Sequence, residues 1–154
     1  MHRPWGAYPE TVITFPDTGL VVDLRRPVTP MLRQRLGQIG LAGPFGVVTA
    51  CNPLGTQIGA VANRRLTTLL GCRVAGYAGS RPAVGGSPDA SHQEPGWAIP
   101  ASLDQVRRLA ADFLQNALFW FDGEKFSIVP VHGTADVLTL PASSQNKQRQ
   151  PHAE

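Results

Sequence analysis

The chain has 154 residues, enough for one domain with a hydrophobic core that needs neither disulfides nor a metal. Charged residues make up 16% and apolar residues 42%, with 16 Gly and 14 Pro, which is typical of a loop-rich globular protein and excludes a coiled coil or a disordered chain. The net charge is +3, but the paired arginines lie on separate predicted elements and form no basic stripe, so nucleic acid is not an expected partner.

The first part of the chain predicts a hairpin and a short helix. Runs rich in β-branched and apolar residues at 11–15 and 20–24 flank a turn at 16–19, which is typical of two antiparallel strands. Thr29 followed by Pro30 predicts a helix start, because threonine caps the first turn and proline needs no amide donor there.

An apolar strand at 45–50 then meets Asn52 and Pro53, and a helical pattern follows. We predict Asn52 as the N-cap of the second helix, with Pro53 at its first position. Apolar residues recur three and four apart until Gly71, which ends the pattern. On this helix Asn63 lies at the margin of the apolar stripe, where it is placed to face a cleft.

A weak strand at 74–78 precedes a predicted long loop at 79–95. Long loops without secondary structure are uncommon inside compact domains and tend to be functional or mobile. The polar end of this loop comes just before a predicted strand at 97–99.

A third helix and a second hairpin complete the predicted elements. Ser102 and Gln105 have the spacing of a capping box at the start of a helix with an apolar face. The helix runs into the aromatic strand 117–121, and Asp122-Gly123 joins it to the apolar run 126–131. Asp-Gly between two apolar runs is the strongest short hairpin signal in the chain.

Polar residues near these element ends are candidates for a site. His92 and Glu94 are two apart before a strand and share one face if extended, so they can supply a general base or part of a metal site. Gln115 ends the third helix, where its amide either caps the helix or holds the donor and acceptor edge of a ligand. A purely structural role remains an alternative for these residues. Asn52 then only caps its helix, and Glu94 is only an exposed loop carboxylate.

Three other chemistries are less favoured. A nucleophilic Cys51 with His92 as base competes with the usual role of such cysteines as small buried hydrophobes. A metal needs further ligands, and His132 and Asp136 are the remaining candidates near the C-terminal edge. A phosphate loop is not supported, because Leu54-Gly55-Thr56 lacks the lysine of that motif.

The order and spacing of these residues resemble a family of short, uncharacterised bacterial proteins, domain of unknown function 3293. The residues that carry the resemblance are Tyr8, Thr11, 49–53, Asn63, Leu66, Leu70, Glu94 and 113–118. The family pattern Thr-Ala-x-Asn-Pro has a variable middle position, occupied here by Cys51, and so favours Asn52 as the functional residue. This chain departs from the pattern at Gly96, where serine is common, and at Leu114, where glycine is common.

The family has no established activity to carry over. The resemblance therefore implies that Asn52, Asn63, Glu94 and Gln115 form one site and implies nothing about its chemistry.

The predicted fold is α+β, with an antiparallel or mixed sheet of six or seven short strands and three helices in the order ββαβαββαββ. We expect a single domain at 1–140 and a disordered tail at 141–154.

At the polar end of the sheet we expect Asn52, Asn63, Gln115 and His92 to bind substrate, with Glu94 as general acid or base if the protein is an enzyme. An amide-rich set with one carboxylate suits a polar small molecule, such as a nucleotide or an amino-acid derivative. The sequence leaves open whether any turnover occurs.

The alternative is a non-catalytic protein-interaction or regulatory module. Such a module would bind its partner through exposed aromatic residues such as Trp5, Trp97 and Trp120.

Location and cofactors follow from what the sequence lacks. Residues 1–8 contain no apolar segment of signal-peptide length, and no stretch approaches the roughly 20 apolar residues of a spanning helix. We therefore expect a cytoplasmic protein without a membrane partner. Cys51 and Cys72 fit that compartment as free thiols and form no recognisable zinc site, so neither a metal nor a cofactor is predicted.

Overall fold

The computed structural model describes Gly6 and residues 8–133 and 136–142. Its strands are β1 (Val12–Phe15), β2 (Leu20–Asp23), β3 (Phe45–Thr49), β4 (Arg81–Gly86), β5 (Gln93–Ile99), β6 (Ala117–Phe121), β7 (Phe126–Pro130) and β8 (Leu138–Thr139). Its helices are α1 (Pro30–Gln38), α2 (Ala60–Val74) and α3 (Leu103–Asp112).

The eight strands form one sheet in the order β2-β1-β4-β5-β3-β6-β7-β8, and every neighbouring pair is antiparallel. The predicted α+β class and three helices are confirmed, and of the two predicted sheet types the antiparallel one is correct. The predicted six or seven strands are too few, because β8 has only two residues and leaves no pattern in the sequence. The element order is therefore ββαβαββαβββ.

Local capping determines where α1 and α3 begin. The Thr29 hydroxyl accepts a hydrogen bond from the Leu32 amide at 3.1 Å. The hydroxyl of Ser102 accepts from the Gln105 amide at 3.2 Å, and the Gln105 side chain accepts from the Ser102 amide at 3.0 Å. Both predicted helix starts are confirmed, since each depends on residues only three apart.

The second helix begins later than predicted, and Asn52 does not cap it. Asn52 has left-handed backbone angles (φ 49°, ψ 64°) and leads into a short 3-10 turn at Pro53–Gly55. The side-chain oxygen of Asn52 accepts a hydrogen bond from Asn63 at 2.9 Å instead of binding amides of a helical turn. Helix α2 starts only at Ala60, after Gly59.

The predicted strand at 74–78 and most of the predicted loop at 79–95 are also wrong. Residue 74 is the last residue of α2, and β4 and β5 form a hairpin across most of the expected loop. Glycine and proline make β4 a poor strand by propensity, but it pairs with both β1 and β5. These backbone ladders override the local preference.

The sheet separates two hydrophobic layers. Successive side chains of a strand point to opposite faces, so Phe45 and Val47 lie in the layer that includes Leu36 of α1, whereas Val48 lies with Leu70 of α2 and Val106 of α3. We call these the α1 face and the α2/α3 face.

No helix within the described ranges is both long and apolar enough to cross a bilayer. The predicted tail at 141–154 falls outside the described residues from 143 onward. The domain predicted at 1–140 stays a prediction.

Candidate functional site

A hollow on the α1 face follows from small residues in neighbouring strands. Ala83 and Gly85 of β4, Gly96 of β5 and Ala117 of β6 leave little side-chain volume above this part of the sheet. The result is a cavity of about 360 Å³, which we call the sheet cavity. Its volume lies within the range of about 300–1,000 Å³ that is usual for small-molecule sites.

The walls of the sheet cavity are mostly apolar. Val47, Phe119 and Ile128 line it from the sheet. Tyr8 lies against Phe119 with the rings edge to face and their centroids 5.9 Å apart. A ligand in the cavity would therefore make mostly apolar contacts.

The polar residues of the cavity lining include Thr11, Thr49, Glu94 and Gln115. Thr11 and Gln115 are the buried polar residues of the described chain, at 8% and 6% exposure. Thr49 accepts a hydrogen bond from the Cys51 amide, and the Glu94 side chain is 23% exposed. Because burying polar groups costs free energy unless they are hydrogen-bonded, these groups are available to a ligand only where their atoms lack protein partners.

Gln115 is fixed through one end of its amide. Its Nε2 donates to the carbonyl of Cys51 at 3.1 Å and to that of Phe113 at 3.2 Å. Within the described ranges no donor reaches its Oε1. Gln115 lines the sheet cavity, so this oxygen is an acceptor for whatever enters.

The left-handed backbone at Asn52 is held by a reciprocal pair of bonds with Asn63. The Asn52 backbone N–H donates to Asn63 Oδ1 at 2.8 Å, and Asn63 Nδ2 donates back to Asn52 Oδ1 at 2.9 Å. The remaining Asn52 donor, Nδ2, reaches Glu94 Oε1 at 3.3 Å. Asn63 on α2 therefore orients Asn52, and Asn52 in turn orients the carboxylate.

His92 meets the same carboxylate oxygen. Its Nε2 lies 3.4 Å from Glu94 Oε1, while its own side chain is 60% exposed. Asn52 and His92 thus both contact Oε1 of Glu94. Within the described residues Oε2 has no hydrogen-bond partner.

Glu94 stands between two cavities. A second, more open cavity of about 610 Å³ lies beside α2 and includes Asn52, Asn63 and Arg64; we call it the outer cleft. Glu94 and His92 are the two residues that line both the outer cleft and the sheet cavity. The amide pair therefore approaches the carboxylate from one side and the sheet cavity from the other.

Tyr8 is affected by this carboxylate. Burial raises the pKa of the Tyr8 phenol, and the negative charge of Glu94 raises it further. Both effects disfavour the phenolate, so Tyr8 keeps its proton and can donate a hydrogen bond within the cavity.

The structure brings the five predicted site residues close to one another. Asn52, Asn63, Glu94 and His92 are linked directly, and Gln115 joins them through the carbonyl of the residue before Asn52. Their roles in binding or catalysis remain predictions.

Sequence reasoning assigned no role to Tyr8, Thr11 or Thr49, although all three line the sheet cavity. The available signal was their presence in the family pattern, but a pattern does not show which residues border an empty space.

The structure gives no contact that would support a Cys51 nucleophile or a metal site among the described residues. Cys51 is buried, and its sulfur lies 3.9 Å from the Thr67 hydroxyl and 3.9 Å from the Pro95 carbonyl. The ring of His92 is directed at Glu94. Across the part of the chain that the structure describes, no three His, Cys, Asp or Glu side chains cluster as metal ligands.

Of the comparisons with known proteins, one found a similarity, to a family model. Searches of curated proteins and of solved structures gave no match to the chain. The family model described as "Protein of unknown function (DUF3293)" matches residues 48–118, from β3 to β6. This segment contains Asn52, Asn63, Glu94 and Gln115, and its match confirms the resemblance of this part of the chain to the DUF3293 family.

Proposed function

We propose that the protein binds a polar small molecule in the sheet cavity, with Glu94 as the group that meets the polar part of the ligand. The observation that carries this proposal is a carboxylate held at the edge of an apolar cavity of about 360 Å³. Small-molecule sites commonly combine apolar walls with a few oriented polar groups.

The residues divide into those that contact the ligand and those that position them. Glu94, Gln115 and Thr11 line the cavity and offer polar atoms to its interior. Asn52 and Asn63 act behind the carboxylate, because their bonds hold Oε1 of Glu94. His92, at the rim, adds a second contact to the same oxygen.

General acid or base chemistry would use the other oxygen of Glu94. Oε1 is engaged by Asn52 and His92, so Oε2 is the atom that can accept a proton from a ligand or return it. Such a group must lie within hydrogen-bond distance of the proton that it moves, and Glu94 lines the cavity in which we place the ligand.

A non-catalytic interaction module is the second candidate. Two of its proposed aromatic anchors, Trp97 and Trp120, are half-buried against the α2/α3 layer, and Trp5 lies outside the described residues. What favours this candidate is the pair Leu54 and Leu114, which are 55% and 47% exposed. Both have positive φ, and their backbones are joined by a hydrogen bond of 2.7 Å.

A thermal-shift screen tests the main proposal. Nucleotides, amino-acid derivatives and divalent metals are added to the wild type, to Glu94→Gln and to Asn52→Ala. A ligand at about one hundred times its Kd stabilises the folded protein by about 2.7 kcal/mol, which raises the melting temperature. We expect a small molecule to give such a shift in the wild type and to lose most of it in both variants.

Glu124→Gln is the matched control, because Glu124 is an exposed carboxylate in the turn between β6 and β7. It should keep the full ligand shift. If no compound changes the melting temperature of the wild type, or if Glu94→Gln keeps the full shift, the cavity is not the proposed site.

A further inference from the structure

The charge of the sheet cavity is opposite to that of the whole chain. The chain carries a net +3, with 14 lysines and arginines. Among the described residues that line the cavity, Glu10 and Glu94 are acidic, and none is a lysine or an arginine. A ligand that enters therefore meets negative charge at the polar positions of the lining and apolar contacts elsewhere.

The buried polar groups add acceptors to this lining. The Thr11 side chain is buried at 8% exposure and lines the cavity. Gln115, at 6% exposure, presents Oε1 without a donor among the described residues. Both side chains line the cavity, where a ligand can hydrogen-bond to their oxygens.

We propose that the sheet cavity takes a small molecule with a protonated amine on a mainly apolar body, the amine lying against Glu94 and the body against Val47, Phe119 and Ile128. This inference rests on the proposed function and narrows it to one chemical class. The ammonium group donates to Glu94 Oε2, the oxygen that Asn52 and His92 leave free. Gln115 Oε1 accepts a second hydrogen bond from the ligand.

The same lining disfavours anionic ligands. A phosphate or carboxylate in the cavity would face Glu94 and Glu10 with no cationic lysine or arginine among the described lining residues. Like charges at short range in a partly desolvated site repel, and proteins usually bind such anions through arginine, lysine or helix amides. Of the expected ligand classes, amine-bearing amino-acid derivatives fit this cavity better than nucleotides.

Three probes of nearly equal size and different charge test the inference. Phenethylamine is cationic, phenylethanol is neutral and phenylacetate is anionic, and adenosine monophosphate is added as a nucleotide. Each is titrated into the protein while backbone amide signals are followed by NMR. The amides of Gly85 and Gly96 report on the cavity, because both glycines line it.

We expect phenethylamine to shift the signals of these glycines and to bind at least about tenfold more tightly than phenylacetate, the effect of one hydrogen-bonded charge. In Glu94→Gln this preference should disappear, whereas Glu124→Gln should retain it.

Two results overturn the inference in distinguishable ways. If phenylacetate or adenosine monophosphate shifts the glycine signals at lower concentration than phenethylamine, the ligand class is wrong and the cavity remains a binding site. If no probe of any charge shifts them, the ligand class and the proposed function both fail. The comparison of probes in the wild type does not depend on the folding of any variant.

Discussion

Gly46 and Gly85, on opposite faces of the sheet, have opposite surroundings. On the α2/α3 face, a Cβ at Gly46 would collide with Val106 of α3, so this glycine lets a helix pack directly on the strand. On the α1 face, a Cβ at Gly85 would meet its nearest neighbour, a methyl of Thr11, at an ordinary 3.7 Å. One glycine is needed because the space is filled, and the other borders a space that is empty.

The α1 face itself is divided in the same way. Phe45, Phe121 and Phe126 fill one end, with ring centroids 4.8 to 5.9 Å apart. The other end holds the sheet cavity, beside Phe119 of the same strand as Phe121. The packed aromatic end and the proposed binding site thus lie in different parts of one face.

The largest expected effect compares the two phenylalanines of β6. Phe121→Ala should lower the free energy of unfolding by about 3–5 kcal/mol, because its ring is fully packed and its loss leaves a new void. Phe119→Ala should cost less, because this half-buried ring already borders a cavity. Urea denaturation measures both, and an equal loss in the two variants would contradict the division of the α1 face.

A smaller effect is expected from adding one methyl group to each glycine. Gly46→Ala forces Val106 to move and should cost about 1–3 kcal/mol, as overpacked sites do. Gly85→Ala should stay within about 0.5 kcal/mol of the wild type. Combining Gly46→Ala with Val106→Ala relieves the collision, so the double variant should be more stable than the sum of the two single losses. Equal costs for the two glycines would remove the contrast between the faces.

The smallest effect concerns the pH dependence of stability through Tyr8, over the empty end of the face. Folding raises the pKa of its phenol above the ordinary 10.0, so the folded state keeps a proton that the unfolded chain loses. The resulting stability is fully present below pH 10 and is lost as the pH rises through the raised pKa. Tyr8→Phe should remove this decline, as measured by urea denaturation at a series of alkaline pH values.

Glu94→Gln sharpens the same measurement. Removing its negative charge should lower the pKa of Tyr8 toward 10.0 while burial still holds it above, as followed by the ultraviolet absorbance of the phenolate. If the pKa of Tyr8 is unchanged in this variant, the charge of Glu94 does not act on the Tyr8 phenol.

Much of the fold was predictable because its signals are local. The caps at Thr29 and Ser102 and the Asp122-Gly123 turn each act over a few residues, and all three are found as predicted. The start of α2 was not predictable, because the oxygen of Asn52 binds Asn63 eleven residues away. Likewise β4 depends on partners in β1 and β5 and not on its own glycines and proline.

The candidate site was also predictable only in part. The family resemblance singled out Asn52, Asn63, Glu94 and Gln115, which the structure brings together. The sheet cavity itself was beyond sequence reasoning, since an empty space depends on which small residues of separate strands lie side by side. Tyr8 and its interaction with Glu94 follow only from that arrangement.

The central position of β3 has a consequence for how the chain reaches this structure. Val48 pairs with Trp97 of β5, and Val47 pairs with Phe119 of β6, so the middle of the sheet closes only when distant segments meet. Loop-closure entropy opposes such pairings until both ends are in place, and folds that depend on them reach the native state slowly. The sheet cavity is bordered by these same strands, so it needs the paired sheet and is not expected in a fragment of the chain that lacks β5 or β6.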